Sequence, residues 1–433
     1  MNKEKNFAKD LIQFIDSSYS AFHATKNVER ILIEKGFKKL KLQDRWKLDK
    51  EGKYYITKNN SAIVGFEIGK GKIEEDGFRL IGAHTDSPTF KIKSNPEMTI
   101  EDSYLKLNTE VYGGPILNTW FDRPLSLAGR VNIRTEDPFK PGELLVNIEK
   151  PIMIIPNLAI HMNRKINEGV NINPQTDTLP ILSTINDKFQ KENFLLKLIG
   201  ENLGIEVDDI LSFELFLYGV EKGSLVGVNE EFISIGKLDN LAMVHAGLYG
   251  LLDSDLGRAT KVLVCFDNEE VGSETKQGAA SPMLRTVLER ITLAMGKDRE
   301  DYYRALSNSF LISADQAHAL HPNYVEKQDP TNRPIINEGP AIKLAANQAY
   351  TTDSYSSAAY EAICRSIDVP VQKFVNRSDE RGGSTIGPIS SSQLAIPSID
   401  IGNPILGMHS IRELGGVMDH YYIYESFKEF YKI

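Results

Sequence analysis

The stretch "KVLVCFDNEE", residues 261–270, places two adjacent glutamates, Glu269 and Glu270, directly after a run of apolar residues. The apolar run predicts a buried strand, and each carboxylate at its end is costly to remove from water. Two neighbouring carboxylates also repel each other. We therefore expect a cation at the end of this strand.

Three other segments repeat the pattern of an apolar run followed by acidic or histidine side chains. They are "FRLIGAHTDSP" (78–88), "FLISADQAHA" (310–319) and "AIPSIDIGNPILGMHS" (395–410). Helix-like stretches at 238–254 and 281–296 lie between the runs. Buried strands that alternate with helices predict an α/β fold, a mixed sheet covered by helices on both faces. In such folds the functional site forms beyond the carboxyl ends of the strands, where these polar residues fall.

The middle of the chain differs from this alternating pattern. Between about 95 and 232 the apolar runs are strand-like, with one helix-like piece at 187–204. Candidate site residues lie on both sides of this region, so it reads as a second domain inserted into the first. We predict a discontinuous catalytic domain, residues 1–94 and 233–433, and an inserted β-rich domain, residues 95–232.

Composition narrows the class of protein. The 433 residues are 41% hydrophobic and 25% charged, and the formal net charge of −9 disfavours binding to nucleic acid or to an anionic membrane. The first residues lack the apolar core and small-residue cleavage site that are typical of a secretion signal, so we expect an unexported protein, and no apolar stretch is long enough to cross a membrane. The two cysteines, Cys265 and Cys364, are too few for a disulfide framework. We expect a soluble cytoplasmic protein.

Five side chains at or near the ends of the apolar runs form a candidate metal-binding set. They are His84, Asp239, Glu270, Asp315 and His409. Two imidazoles and three carboxylates suit zinc, and they exceed what one tetrahedral ion accepts, so the set favours two ions. The charges of two Zn²⁺ ions would be balanced by three carboxylates and one bridging hydroxide.

Two further carboxylates have supporting roles in this interpretation. Asp86 lies two residues after His84, so in an extended chain the two side chains share a face and the carboxylate can orient the imidazole. Glu269 adjoins Glu270 but is not needed as a ligand. It is therefore placed to accept a proton from water that the metals activate, as a general base.

Each of these residues has a plainer interpretation when it is taken alone. Asp239 precedes a helix-like stretch and could cap it. Glu269 and Glu270 could lie on a surface turn or pair with Lys276, and a single histidine is often structural. None of the motifs is a compact signature. The recurrence of one pattern at four places nevertheless favours a metal hydrolase.

Nine segments carry a resemblance to a known family: "SAFHA", "GAHTDSP", "NTWFDRPLSLAGRV", "NLAIHMNR", "GKLDNLA", "NEEVGSET", "SADQAHALHPNY", "STIGPI" and "MHSIRE". In this order they resemble the aspartyl aminopeptidase family, which includes the vacuolar aminopeptidase I type. The match runs from near residue 10 to near 425. It implies a co-catalytic two-zinc peptidase fold and the removal of N-terminal residues from peptides.

The resemblance also implies how the ligands divide between the two zinc ions. His84, Asp239 and Asp315 would bind one ion. Asp239, Glu270 and His409 would bind the other, so that Asp239 bridges the pair. Cobalt or manganese could substitute for zinc, because nitrogen and oxygen ligands of this kind accept several metals.

The same resemblance implies roles for four more residues. Glu269 would be the general base and Asp86 would orient His84, as the residue pattern also indicates. Lys343, in "AIKLAANQAY", resembles a basic residue that lines the pocket for the first side chain of the substrate. His161, in "NLAIHMNR", would reach the site of a neighbouring subunit as an oxyanion or substrate contact.

Substrate preference and assembly are two further expectations. Pro124, Arg381 and Gly382 depart from the pattern of aspartyl-preferring members, so the preferred N-terminal residue is either acidic or neutral and leucine-like. The family forms tetrahedral dodecamers, and we expect the inserted domain to serve this homo-oligomerisation. Trp120 and Phe121 are expected to be exposed there.

Two rival functions remain open at this stage. A related two-metal amidohydrolase, such as a deacylase or a carboxypeptidase, would share the metal ligands but not the requirement for a free α-amine. A non-enzymatic scaffold is the second rival. The presence of Glu269 beside the five ligands disfavours a scaffold, because clustered carboxylates are costly to keep without a catalytic purpose.

Overall fold

The computed structural model describes residues 2–185, 193–380 and 382–433. The chain forms two compact units. The first unit comprises Met1–Asp86, Gly223–Met408 and Glu413–Ile433, and the second comprises Ser87–Lys222 and His409–Arg412. The boundaries predicted from the sequence, 94/95 and 232/233, lie eight and ten residues further along the chain than 86/87 and 222/223.

The helices vary in length from one turn to four turns. In chain order they are Asn2–Asp16 (α1), Ala21–Glu34 (α2), Ile73–Asp76 (α3), Phe194–Leu203 (α4), Leu238–Asp253 (α5), Met283–Ala294 (α6), Arg299–Ser307 (α7), Ser354–Ser366 (α8), Ile386–Leu394 (α9) and Val417–Lys432 (α10). None of these described helices has both the length and the apolar character that a membrane span requires.

Most strands of the second unit are longer than those of the first. In chain order they are Lys38–Lys39 (β1), Lys53–Lys58 (β2), Ala62–Glu67 (β3), Phe78–His84 (β4), Thr89–Ile100 (β5), Tyr104–Tyr112 (β6), Leu125–Ile133 (β7), Gly142–Asn147 (β8), Ile181–Thr184 (β9), Ile210–Gly219 (β10), Ser224–Val226 (β11), Phe232–Ile235 (β12), Thr260–Phe266 (β13), Phe310–Ala314 (β14), Ala317–His318 (β15), Ala341–Leu344 (β16), Gln372–Val375 (β17), Ser398–Gly402 (β18), Pro404–Ile405 (β19) and Glu413–Gly416 (β20).

A mixed sheet forms the centre of the first unit. Its strand order is β1-β2-β3-β13-β4-β14-β18-β16-β17. The central strands β13, β4, β14 and β18 run parallel to one another, whereas β3 and β16 pair antiparallel with β13 and β18. The prediction of a mixed α/β sheet is confirmed.

Helices cover both faces of this sheet, and alternate strand residues point to opposite faces. Leu80 and Val264 pack in one core with residues of α6 and α9. Ile81 and Leu263, their neighbours in sequence, pack in the other core with residues of α1, α2, α5 and α10. Both faces of the central strands are buried, which is why these strands read as uninterrupted apolar runs.

The N-terminal helical region is divided into two helices. Residues 5–36 have a helical pattern throughout, but α1 ends at Asp16 and α2 begins at Ala21. Between them the Ser18 hydroxyl donates a hydrogen bond to the carbonyl oxygen of Phe14 at 2.7 Å. Ser20 has an extended backbone at the start of α2. Serine side chains compete for backbone hydrogen bonds in this way and therefore favour helix ends.

The second unit is built around an antiparallel sheet with the strand order β8-β7-β10-β5-β6-β9. Residues of α4 pack into its core. The helix-like piece predicted at 187–204 is helical from Phe194, and its residues 187–192 lie outside the described part of the chain. The expectation that Trp120 is exposed is wrong: this side chain is only 4% exposed and packs edge-on against Phe90.

Candidate metal centre

Polar side chains meet at the carboxyl edge of three adjacent parallel strands. His84 is the last residue of β4, Asp315 follows the end of β14, and the turn Glu269–Val271 follows β13. These strands are neighbours in the order β13-β4-β14. Because parallel strands end at the same edge of a sheet, residues far apart in sequence come together there.

Asp239 enters this site from the beginning of α5. Its backbone is not helical, and the peptide bond to Asn240 is cis. The Asn240 side-chain amide donates a hydrogen bond to the carbonyl oxygen of Ala314 at 2.9 Å, which attaches the start of α5 to the end of β14. The N-cap position of α5 is Lys237, so Asp239 is not the cap that its position in the sequence suggested.

His84, Asp239 and Asp315 form a buried group that could hold a metal ion. One ligand atom from each lies within 4.8 Å of the other two. Nε2 of His84 is 3.5 Å from Oδ1 of Asp239 and 3.7 Å from Oδ1 of Asp315. Zinc bonds of about 2.0–2.2 Å in a tetrahedron place neighbouring ligand atoms about 3.3–3.6 Å apart. The three donors therefore fit zinc in kind and nearly in spacing.

Both adjacent glutamates also belong to this edge of the sheet. His84, Glu269 and Glu270 form a second group whose ligand atoms lie within 4.8 Å of one another. The site thus combines one imidazole with several carboxylates.

Asp86 connects His84 to the turn that carries the two glutamates. Its Oδ1 lies 3.2 Å from Nδ1 of His84. The backbone N–H of Glu269 donates to Oδ1 of Asp86, and the N–H of Glu270 donates to Oδ2, both at 3.2 Å. The sequence pattern indicated only the contact with the imidazole. The structure adds that the same carboxylate holds both adjacent glutamates by their main chain.

Burial and neighbouring charged groups shift the pKa values of two acid–base groups of the site. Burial raises the pKa of Glu269 to about 7; the nearby His84 opposes this shift and Asp315 adds to it. Burial by itself would lower the pKa of His84, but hydrogen bonds to Asp239 and Asp315 raise it well above the usual value. A divalent cation would relieve the repulsion between these carboxylates.

Lys343 lies in β16 and is buried, with 3% of its surface exposed. Its Nζ is 3.2 Å from Oδ2 of Asp315 and donates to the carbonyl oxygen of Gln316 at 2.7 Å. Burial opposes the charged form, but Asp315 raises the pKa of Lys343 above its usual value. Its predicted contact with the substrate stays a prediction.

The two remaining site residues belong to the second unit. His409 opens the segment His409–Arg412, and its Nδ1 lies 3.0 Å from the carbonyl oxygen of Gly114. His161 lies exposed in the connection between β8 and β9. Metal binding by His409 and a substrate contact by His161 stay predictions. Arg381, one of the departures from the aspartyl-preferring pattern, lies outside the described residues.

Two side chains that the residue pattern did not single out help to position the start of α5. A carboxylate oxygen of Glu413 accepts a hydrogen bond from the backbone N–H of Asp239 at 3.1 Å. The side-chain amide of Gln316 donates to the carbonyl oxygen of Leu238 at 2.8 Å. Both residues occur in segments quoted for the family resemblance, "MHSIRE" and "SADQAHALHPNY". That resemblance was the one signal that pointed to them.

Comparison with known proteins gives matches along nearly the whole chain. Residues 14–431 match the family model described as aminopeptidase I zinc metalloprotease (M18). The probable M18 family aminopeptidase 2 of Clostridium novyi (strain NT) is 61% identical over 433 residues, which cover 100% of both chains.

Two solved structures share the fold. This chain resembles a chain of the cryo-EM structure of the Ape4 and Nbr1 complex. The TM-score is 0.95 and the sequence identity is 36%, and the match covers 99% of this chain and 86% of the other. It also resembles a chain of the mApe1 dodecamer structure of S. cerevisiae. The TM-score is 0.88 and the sequence identity is 28%, and the match covers 100% of this chain and 97% of the other.

Proposed function

Because the chain belongs to the aminopeptidase I zinc metalloprotease (M18) family, we propose that it binds two zinc ions per subunit and uses Glu269 as the general base in removing N-terminal residues from peptides. The observation that carries this proposal is the group His84, Asp239 and Asp315, whose donor atoms have nearly the spacing of a tetrahedral zinc site, beside Glu269 and Glu270.

Glu269 moves protons in the proposed reaction. When bound, zinc lowers the pKa of water and polarises a carbonyl group. The Glu269 carboxylate takes a proton from the water that attacks the first peptide carbonyl, and it then gives that proton to the leaving amine. The role of Glu269 is supported by the hydrogen bond that its backbone N–H donates to Asp86, because the same carboxylate contacts His84.

We assign the second zinc ion to Asp239, Glu270 and His409, with Asp239 shared between the two ions. The family motifs support this assignment. So does the contact of the His409 Nδ1 with the carbonyl oxygen of Gly114, because a histidine ligand usually has its second ring nitrogen held by a protein oxygen. Cobalt or manganese is expected to replace zinc, since the same ligand types accept these metals.

The substrate is a peptide with a free α-amine. We expect activity towards acidic or leucine-like N-terminal residues, and the present residues do not favour one class over the other. Lys343 and His161 are the two candidate contacts for substrate. A cytoplasmic location is supported by Cys265 and Cys364, which are buried free thiols of the kind that a reducing compartment preserves.

A substrate panel tests the proposal. Aspartyl, glutamyl, leucyl and alanyl reporter substrates, and their N-acetylated forms, are assayed with metal-depleted enzyme and after addition of zinc, cobalt or manganese. We expect hydrolysis of free-amine substrates alone, and only with metal. Equal hydrolysis of the acetylated forms would indicate a deacylase, and no hydrolysis at full metal content would indicate a scaffold.

We also propose that the protein assembles as a homododecamer. This rests on the S. cerevisiae relative, whose structure is described as a dodecamer, and on exposed apolar residues of the second unit. The inserted unit would supply the contacts between subunits.

A further inference from the structure

The proposed reaction gives no role to the segment "SAFHA", residues 20–24, but the chain that leads into this segment contacts the start of α5. Residues 17–20 connect α1 to α2. The ammonium group of Lys237 donates hydrogen bonds to two carbonyl oxygens of this connection, that of Ser18 at 2.9 Å and that of Tyr19 at 2.8 Å. Lys237 therefore joins the N-terminal helices to the residue that precedes α5.

We propose that Lys237 is a positioning residue that fixes the start of α5, and with it the carboxylate of Asp239, for metal binding. This proposal rests on the proposed function, because it takes Asp239 as the ligand that the two zinc ions share. It goes beyond that function by giving the connection between α1 and α2 a role in the metal site.

The regular part of α5 does not by itself place Asp239. Asp239 and Asn240 have non-helical backbone angles, so they do not continue the helix that follows them. Lys237 has a φ of 62°, in the left-handed region that is uncommon for residues other than glycine. Such conformations persist where the surrounding structure imposes them. The two hydrogen bonds of the Lys237 side chain are contacts of this kind.

The connection between α1 and α2 is itself firmly held, so it can act as a support. The Ser18 side chain is buried, and its hydroxyl donates to the carbonyl oxygen of Phe14 in α1 at 2.7 Å. The side-chain amide of Asn27, in α2, donates to the hydroxyl oxygens of Ser17 and Ser18, both at 3.0 Å. Because both helices hold the connection, its carbonyl groups offer the ammonium group of Lys237 a fixed position.

Other contacts of the start of α5 come from the strands. Asn240 donates to the end of β14, and Glu413, the first residue of β20, accepts the backbone N–H of Asp239. Without the Lys237 side chain these contacts would remain, but the attachment to the N-terminal helices would lose two hydrogen bonds. The backbone before Asp239 could then shift, and the carboxylate would shift with it.

The position of Asp239 matters for both metal ions in the proposed site. Loss of a group that orients a metal ligand typically weakens metal affinity by about 10-fold to 100-fold. Because Asp239 is proposed to bind both zinc ions, a shift of its carboxylate should weaken both sites together. A residue that oriented an unshared ligand would weaken one site.

The chain offers a matched control at the other end of the same helix. Lys261, near the start of β13, is buried, and its Nζ donates to the carbonyl oxygen of Ser254 at 2.8 Å. Ser254 is the C-cap residue of α5. Lys261 also pairs with Glu67 at 3.0 Å. Lys261→Met therefore measures the cost of losing a lysine contact with α5 at the end that is remote from Asp239.

The experiment compares Lys237→Met, Lys237→Arg and Lys261→Met with the wild-type enzyme. Methionine keeps the unbranched shape of lysine but has no donor, whereas arginine keeps the charge and the donors. Zinc affinity at both sites is measured by competition with a chromophoric chelator, and the stability of the metal-free proteins is measured by urea unfolding.

We expect Lys237→Met to bind both zinc ions about 10-fold or more weakly than the wild type. Lys237→Arg should bind zinc more tightly than Lys237→Met, because its guanidinium group can reach the same carbonyl oxygens. Lys261→Met should lose stability but bind zinc as the wild type does.

Four results would overturn the proposal. Wild-type zinc affinity in Lys237→Met leaves the lysine without a role in the metal site, and weaker binding of a single ion shows that it does not act through the shared ligand. Equal zinc loss in Lys261→Met makes the effect a general loss of stability. Lys237→Arg that binds zinc no more tightly than Lys237→Met shows that the donors do not matter. If Lys237→Met does not fold, Lys237→Gln replaces it with the same readouts.

The proposed function can fail separately from this inference. If the wild-type enzyme binds two zinc ions but hydrolyses none of the aminoacyl substrates, aminopeptidase activity is excluded. The zinc affinities of the lysine variants still decide whether Lys237 positions the shared ligand.

Discussion

Glu269 and Glu270 are adjacent in sequence, and the proposed function gives them different roles. Both donate their backbone N–H groups to Asp86, so the two residues are held in the same turn. Burial shifts Glu269 towards the protonated form, with a pKa of about 7. A carboxyl group that exchanges protons near neutral pH suits a base, whereas a metal ligand must remain ionised.

Substitution of each glutamate by glutamine separates these roles. We expect Glu269→Gln to lower kcat by about 100-fold or more, because general-base catalysis contributes at least that factor. Its zinc content should remain that of the wild type. Glu270→Gln, the matched control one residue away, should lose zinc. Initial rates and elemental analysis of dialysed protein measure both quantities, and a Glu269→Gln enzyme with more than about a tenth of the activity contradicts the assignment.

His23 is a histidine outside the metal site with a strongly shifted pKa. Its Nδ1 is 2.9 Å from the Ser20 hydroxyl, and its ring packs edge-on against Tyr19. Burial, with a smaller contribution from Lys237, lowers the pKa of His23 from 6.5 to about 4. The unfolded chain therefore binds a proton between these pH values that the folded chain does not bind. The contribution of His23 to stability is present above pH 6.5 and is lost as the pH falls towards 4.

We expect His23→Asn to flatten the pH dependence of unfolding. Between pH 7 and pH 5 the wild type should lose about 1–2 kcal/mol more of its free energy of unfolding than the variant, after allowance for partial solvent exposure. Urea unfolding at several pH values measures the difference between the two curves. Parallel curves would show that His23 titrates normally in the folded protein.

At the scale of elements, the contact between β14 and β18 positions Asp315. The two strands are parallel neighbours, and the backbone N–H of Asp315 donates to the carbonyl oxygen of Ile401 at 3.0 Å. The next residue of β18 is Gly402, and a Cβ atom there would lie 1.8 Å from the carbonyl oxygen of Asp315. Only glycine permits the backbones to approach this closely at the metal site.

Gly402→Ala should therefore disturb both the sheet edge and the metal site. We expect a loss of about 1–3 kcal/mol in the free energy of unfolding, as is typical when a side chain is forced into a packed region. Zinc affinity should fall as well, because Asp315 must shift. Gly383→Ala is the control, since among the described residues no atom lies within 4 Å of the position that its Cβ would take. Thermal unfolding and chelator competition on both variants test the prediction. If the Gly402→Ala variant binds zinc as tightly as the wild type does, the prediction is refuted.

At the scale of the whole molecule, the second unit has an exposed apolar loop in the connection between β8 and β9. We name it the 158–162 loop; its apolar side chains include Leu158, 52% exposed, and Met162, 73% exposed. Its base is anchored, because Asn157 donates two hydrogen bonds to the Asp122 carboxylate at 2.8 and 2.9 Å. Grouped apolar side chains on an anchored loop are typical of a surface that binds another protein.

We expect the wild-type protein to sediment as a dodecamer and Met162→Asp to shift it towards smaller species. A charge placed in an apolar contact between subunits loses its hydration without gaining a partner. Val228→Asp is the control for the added charge, because Val228 is 97% exposed at a hairpin tip of the first unit. Sedimentation velocity and activity are measured on the same samples. A fully active wild-type monomer would exclude both the dodecamer and a role for His161 in a neighbouring site.

The pattern of residues was enough to predict the class of fold and which side chains meet beyond the central strands. The apolar runs before His84, Glu269 and Asp315 predicted buried strands, because side-chain periodicity is a local property. Parallel strands end at one edge of a sheet, so these residues were expected to meet there, and they do. The family motifs added the class of enzyme, which the family match confirms.

The partners of each side chain became visible in the folded chain alone. The residue pattern gave no sign that Lys343 pairs with Asp315, which lies 28 positions away in sequence. Trp120 looked exposed, but it is buried against Phe90. Asp86 holds the main chain of residues more than 180 positions away. Burial and partners such as these depend on packing between distant segments, and no local pattern of residues encodes that packing.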